Sequence, residues 1–139
     1  MVRQGRYGYI SEYYQEFEDA VYAQDADGNY TGYNAQTGKY YYEYCDLNSL
    51  VQAYLIQYLS GNSDAFYSSF FFYKDVDGLM YAGPVWDMEL TGGGGWSGVI
   101  TSDNTFINGR YLVQALTKIP GFRAAVNNYY HNTFLAQAQ

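Results

Sequence analysis

Three acidic residues carry the chemistry this chain could perform. Asp87 and Glu89 stand one residue apart in Trp86-Asp87-Met88-Glu89-Leu90. In an extended chain successive side chains alternate sides, so the two carboxylates share a face while Trp86, Met88 and Leu90 take the other. Asp64 follows in the short stretch after Gly61-Asn62, where a helix is expected to end. Such an oxygen-rich set suits a hard divalent cation, magnesium, manganese or calcium, and in phosphoryl transfer that cation neutralises charge between phosphates. The bland alternatives are a turn aspartate and a solvated strand end, because an Asp-x-Glu pair carries little information by itself. A glycosidase pair, Asp64 with Asp87 or Glu89, is also open, and only the distance between the carboxylates decides it.

The remaining reactive residue types narrow the field. One cysteine, Cys45, and one histidine, His131, leave too few soft ligands for zinc and exclude an internal disulfide, so any metal is oxygen-bound. Cys45 reads as a small buried hydrophobe, and His131 as a packing or surface residue. Asp25-Ala26-Asp27-Gly28-Asn29 alternates oxygen donors, but its glycine comes fourth and Gln36 stands twelfth, which predicts a polar turn and not a calcium loop. Gly95-Trp96-Ser97-Gly98-Val99 lacks the last glycine of a nucleophile elbow, and residues 92–95, four glycines, lack the Lys-Ser/Thr of a phosphate loop.

Elements that must position these acids can be read from periodicity. Apolar and aromatic residues recur every three or four positions over residues 9–22, which predicts an amphipathic helix. Residues 23–40 are polar and glycine-bearing, a loop with room for a short hairpin. Asp46 is a good N-cap for a second helix whose apolar face runs from Leu47 through Leu50, Val51, Tyr54, Leu55 and Tyr58 to Leu59. Residues 70–74 and 79–85 read as strands joined by Asp75-Val76-Asp77-Gly78. Residues 91–103 read as loop and 108–118 as helix; Pro120-Gly121 is expected to break that helix, with a last one over 122–134 and a fraying tail.

The chain's 139 residues fit one α+β, helix-rich domain with a single core. Net charge is −7 with seven scattered basic residues, so no surface is expected to displace counterions from a nucleic acid. No apolar run is long enough for a membrane span, and no apolar stretch follows the first arginines, so no signal peptide is expected within these residues. Nineteen tyrosines give amphipathic side chains of a kind common on exported bacterial surfaces.

An acid after a helix, a hairpin, then a metal-binding acid at the hairpin's exit is the order in which protein-kinase C-lobes place their catalytic and magnesium aspartates. Over these residues the chain resembles the spore coat protein H (CotH) kinase-like family of atypical secreted kinases. The likeness runs through Asp46-Leu47-Asn48-Ser49-Leu50, Asn62-Ser63-Asp64 and Phe70-Phe71-Phe72-Tyr73-Lys74 to Gly83-Pro84-Val85-Trp86-Asp87-Met88-Glu89, which is similar to the family's Gly-Pro-x-Trp-Asp-x-Asp signature. The resemblance implies a kinase C-lobe-like fold with the hairpin between a catalytic loop and the Trp-Asp-x-Glu motif. It further implies Asp64 as the catalytic aspartate, Asp87 and Glu89 as ligands of magnesium or manganese, and transfer of phosphate from ATP to hydroxyls of a protein substrate. Glu89 stands where the family usually has a second Asp. Ser68 or Ser69 lies where kinase loops often supply an asparagine. Family members also carry an upstream stretch that covers the nucleotide, so residues 1–139 would form the C-terminal part of such a domain, with an extracellular, cell-surface or spore-coat setting in a bacterium. The alternative is a non-catalytic surface module that binds glycan or a protein partner through its tyrosines.

Overall fold

The computed structural model describes residues 6–62, 65, 66, 70–85, 88 and 111–138. The expected loop at 91–103 and the first turn of the helix expected at 108 lie outside the described residues. Helix α1 (Arg6–Tyr22) begins three residues before the expected start. Its Phe17, Ala20 and Val21, spaced three and four apart, are fully buried and form the stripe that faces the core.

A two-stranded antiparallel hairpin follows, β1 (Tyr33–Asn34) and β2 (Lys39–Tyr40), with Tyr33 opposite Tyr40. Buried Asn34 builds it. Its side-chain oxygen accepts the Gln36 and Thr37 N–H groups, and its amide donates to the Glu16 carbonyl at 3.1 Å, tying the hairpin to α1. A 3₁₀ turn (Tyr41–Glu43) leads to α2 (Leu47–Ser60), capped as expected by Asp46, whose carboxylate accepts the Ser49 N–H at 2.8 Å.

The second hairpin pairs β3 (Phe72–Lys74) with β4 (Met80–Ala82), shorter than the strands expected at 70–74 and 79–85. An isolated pair of strands has no neighbours to extend the ladder, so pairing ends where the chain leaves the turn. Toward the C-terminus lie α3 (Tyr111–Leu116), α4 (Pro120–Tyr129), a π-helical turn (Tyr130–Phe134) and α5 (Leu135–Ala138). Pro120 starts α4 and does not merely break the preceding helix, because its missing N–H would have been unpaired at the first helical position anyway. The tail expected to fray continues the helix to Ala138.

Most of the core is one cluster in which Phe17 and Val21 of α1 meet Leu50, Val51 and Leu55 of α2, Leu116 of α3 and Phe122 of α4. Each of the larger buried side chains contributes about 1.5–3 kcal/mol by leaving water. Among the described residues no helix is long and apolar enough to cross a membrane.

Candidate functional site

The described chain next to each candidate acid is held by specific bonds. On the first side, α2 stops at Gly61, whose left-handed backbone (φ 66°, ψ 38°) lets its N–H reach the Gln57 carbonyl at 3.1 Å and the Tyr58 carbonyl at 3.3 Å. Asn62 then donates its backbone N–H to the same Gln57 carbonyl. Asn62 is fully buried, and its side-chain amide donates to Oε1 of the equally buried Gln57 at 2.8 Å. The chain is anchored again at fully buried Ala65, which packs on Val113 of α3 and donates its N–H to the Asn62 carbonyl at 3.2 Å. Asp64 thus stands in sequence between two fully buried residues, Asn62 and Ala65. Phe66 adopts a left-handed backbone (φ 57°), an unfavourable state for a residue with a large side chain, and its ring lies on Phe70 at 4.1 Å.

On the second side, the hairpin is held to the start of α2. Met80 donates to the Tyr44 carbonyl, Asp46 donates to the Met80 carbonyl, and the Ser49 hydroxyl accepts the Ala82 N–H at 3.0 Å while donating to the Asp46 carbonyl. Lys74 closes the turn. Its ammonium donates to the carbonyls of Asp75, Val76 and Gly78 at 2.9, 3.1 and 2.6 Å and lies over the Tyr13 ring. Gly83 (φ 120°) ends the hairpin with its N–H on the Phe71 carbonyl, followed by a cis Gly83-Pro84 bond.

These two sides meet. The Asn62 amide lies 3.5 Å from the sulfur of half-buried Met88, the residue between Asp87 and Glu89. Asp64, Asp87 and Glu89 themselves lie outside the described residues, as do Ser68 and Ser69. What the structure brings together is Asn62 and Met88, which lie near those acids in sequence. Among the described residues no group of three His, Cys, Asp or Glu side chains could hold a metal ion.

Sequence reasoning missed the Gln57–Asn62–Met88 link. A signal was present in part, since Gln57 falls seven residues after Leu50 on the stripe that also holds Ala53 and Tyr54, whereas Leu59, expected on the apolar face, is exposed. Other expectations hold. Asp25 organises a polar turn by accepting the N–H groups of Asp27 and Asn29, and these backbone bonds draw its carboxyl below the usual range. Burial pushes the Cys45 thiol up to about 12, the reverse of an activated cysteine. His131 is exposed, with its ring edge-on to Tyr130.

The fold is therefore a helix-rich α+β arrangement in which two small hairpins lie on a helical core. The family model for CotH kinase protein matches residues 3–137, nearly the whole chain, and the chain belongs to that kinase-like family. No curated protein and no solved structure gives a significant match.

Proposed function

We propose that this chain holds the acceptor and metal side of an atypical kinase that transfers the terminal phosphate of ATP to hydroxyl groups of a protein substrate. Asp64 orients the acceptor hydroxyl and takes its proton; Asp87 and Glu89 hold magnesium or manganese. Family membership supports the class of reaction. The contact between Asn62 and Met88 is the observation that supports the roles. Asp64 is two residues from Asn62, and Asp87 and Glu89 are each one residue from Met88. Chain length thus permits the three carboxylates to share one cation, provided that the backbone around Met88 departs from the strict alternation of an extended strand.

The donor set fits the ion. All three side chains are carboxylates, the ligands that hard divalent cations prefer. When bound, the cation supplies charge neutralisation between phosphates. The protein's own part is positional: Asn62 and Ala65 clamp the segment of Asp64, while Ser49, Lys74 and Gly83 fix the hairpin that leads to Asp87. Helix, acid, hairpin, acid is the order of a kinase C-lobe, and in the same reading the nucleotide-covering half comes from sequence upstream. An acidic surface of net charge −7 fits a setting away from nucleic acids, at the cell surface or in a spore coat.

The test uses the protein together with its upstream sequence, magnesium or manganese, ATP and a hydroxyl-bearing protein acceptor. Asp64→Asn is expected to slow transfer roughly 10²- to 10⁴-fold, the usual contribution of a positioned base. Asp87→Asn is expected to abolish metal-dependent nucleotide binding in titration calorimetry. Transfer that survives both substitutions refutes the assignment, and tight nucleotide binding counts against the surface-module alternative.

A further inference from the structure

Each hairpin carries a cross-strand pair of tyrosines with rings in contact and open to water. Tyr33 stands opposite Tyr40 with ring centroids 4.8 Å apart, and Tyr73 opposite Tyr81 with centroids 5.3 Å apart and planes 16° from parallel. All four residues are more than a third exposed. Tyrosine pairs held this way are poised for radical coupling, because rings with centroids 4.8 and 5.3 Å apart need only a small rotation to meet at their edges, and exposed hydroxyls can release protons to solvent.

We propose that Tyr33/Tyr40 and Tyr73/Tyr81 are sites of oxidative coupling, in which a peroxidase-type one-electron oxidant fed by hydrogen peroxide joins each pair through a carbon–carbon bond. Each phenol loses one electron and one proton. The two phenoxyl radicals couple at ring carbons ortho to their oxygens, and each coupled carbon then gives up its hydrogen as the ring regains aromaticity and the oxygen regains a proton. Overall, one carbon–carbon bond forms, two carbon–hydrogen bonds break, and hydrogen peroxide accepts two electrons and two protons to leave two waters.

Ring contact and exposure together mark these pairs, and they also mark one competitor, Tyr42, which stacks on Tyr40 at 5.3 Å and whose coupling would stay inside one tryptic peptide. Tyr14 and Tyr41 are largely enclosed, and burial pushes both up to about 12, so their protons are hard to remove. Tyr111 is 78% exposed, more than any member of the pairs, and would lead if exposure alone decided. Radicals on one hairpin meet at an effective concentration far above that of separate dilute molecules, so coupling stays within the chain. The inference does not rest on kinase activity; the pairs would couple in an inactive protein as well.

Tryptic mapping tests this directly, because Lys39 separates Tyr33 from Tyr40 and Lys74 separates Tyr73 from Tyr81. Dilute protein is treated with peroxidase and limiting hydrogen peroxide, and the monomer is isolated and digested. Expected are bityrosine fluorescence and two bridges, one joining residues 7–39 to 40–74 and one joining 40–74 to 75–110, each removing two hydrogen atoms. A chain coupled at both pairs links all three peptides and is lighter by four hydrogen atoms. Tyr33→Phe, which keeps the ring and removes the hydroxyl, should delete only the first bridge, and Tyr81→Phe only the second. A first bridge that persists in Tyr33→Phe, or a second that persists in Tyr81→Phe, overturns the proposal. So does a monomer without bridges, or coupling chiefly between molecules through Tyr111.

Discussion

The amide of Asn62 rests 3.5 Å from the sulfur of Met88, across 26 positions of sequence, and joins the end of α2 to the segment beyond the second hairpin. Gln57 completes the link from inside α2 at 2.8 Å. Both amide hydrogens of Asn62 therefore have partners, in a place where neither Asn62 nor Gln57 touches water. A buried polar group left without its partner costs about 1–3 kcal/mol.

Asn62→Ala is accordingly expected to lower stability by about 1–3 kcal/mol in urea unfolding. Met88→Leu keeps the volume and loses only the sulfur acceptor, so it should cost less than about 1.5 kcal/mol. Equal losses in the two variants would mean that the amide contributes no more than packing.

Lys74 ties the turn of the second hairpin with three carbonyl contacts and a ring contact. Lys74→Met retains the apolar stem and removes the ammonium. Hydrogen exchange over residues 72–82 should accelerate, with a global loss of about 1–3 kcal/mol. Unchanged exchange would show that the turn residues hold the hairpin unaided.

Two glycines with positive φ separate backbone strain from crowding. A Cβ at Gly28 (φ 81°) meets nothing within 4 Å, whereas one at Gly32 (φ 69°) falls 2.7 Å from Cδ1 of buried Tyr41. Gly28→Ala should cost about 1–2 kcal/mol from its backbone alone. Gly32→Ala should cost a further 1–3 kcal/mol, roughly, because the enclosed ring has nowhere to go. Thermal melting of the two variants ranks them.

The helices and hairpins that frame the site are legible in the sequence because short-range chemistry decides them. Asp46 and Gly61 fix the two ends of α2 through their own cap geometry, and Asp75-Val76-Asp77-Gly78 makes the turn between β3 and β4. What stayed hidden depends on distant partners. Gln57 is buried because Asn62 folds back onto it, and Asn62 because Met88 arrives from the second hairpin. The same holds for the π-helical turn after Tyr129, which no local spacing announces. The candidate acids were legible as residue types and as a resemblance; their side chains lie outside the described residues.

Alkaline pH should unfold the protein. Burial pushes the Cys45 thiol from an ordinary 9.0, and the Tyr14 and Tyr41 hydroxyls from 10.0, up to about 12 in each case. Above those ordinary values the unfolded chain gives up protons that the folded chain retains, so stability falls as pH rises. The contribution is fully present below about pH 9 and lost progressively up to about 12. Urea midpoints measured across this range check the sign; a midpoint that rises with pH contradicts it. Native protein should also leave Cys45 unreactive toward thiol reagents until it unfolds.

The central claim is that Asp64, Asp87 and Glu89 gather around one divalent ion, and paramagnetic manganese tests it most directly. With the methionine methyl groups and the asparagine side-chain amides observed by NMR, manganese added to the protein should broaden the Met88 methyl and the Asn62 amide together. Asp87→Asn and Asp64→Asn should each weaken that effect. Manganese that leaves Met88 and Asn62 sharp, or that broadens them equally in both variants, contradicts the account.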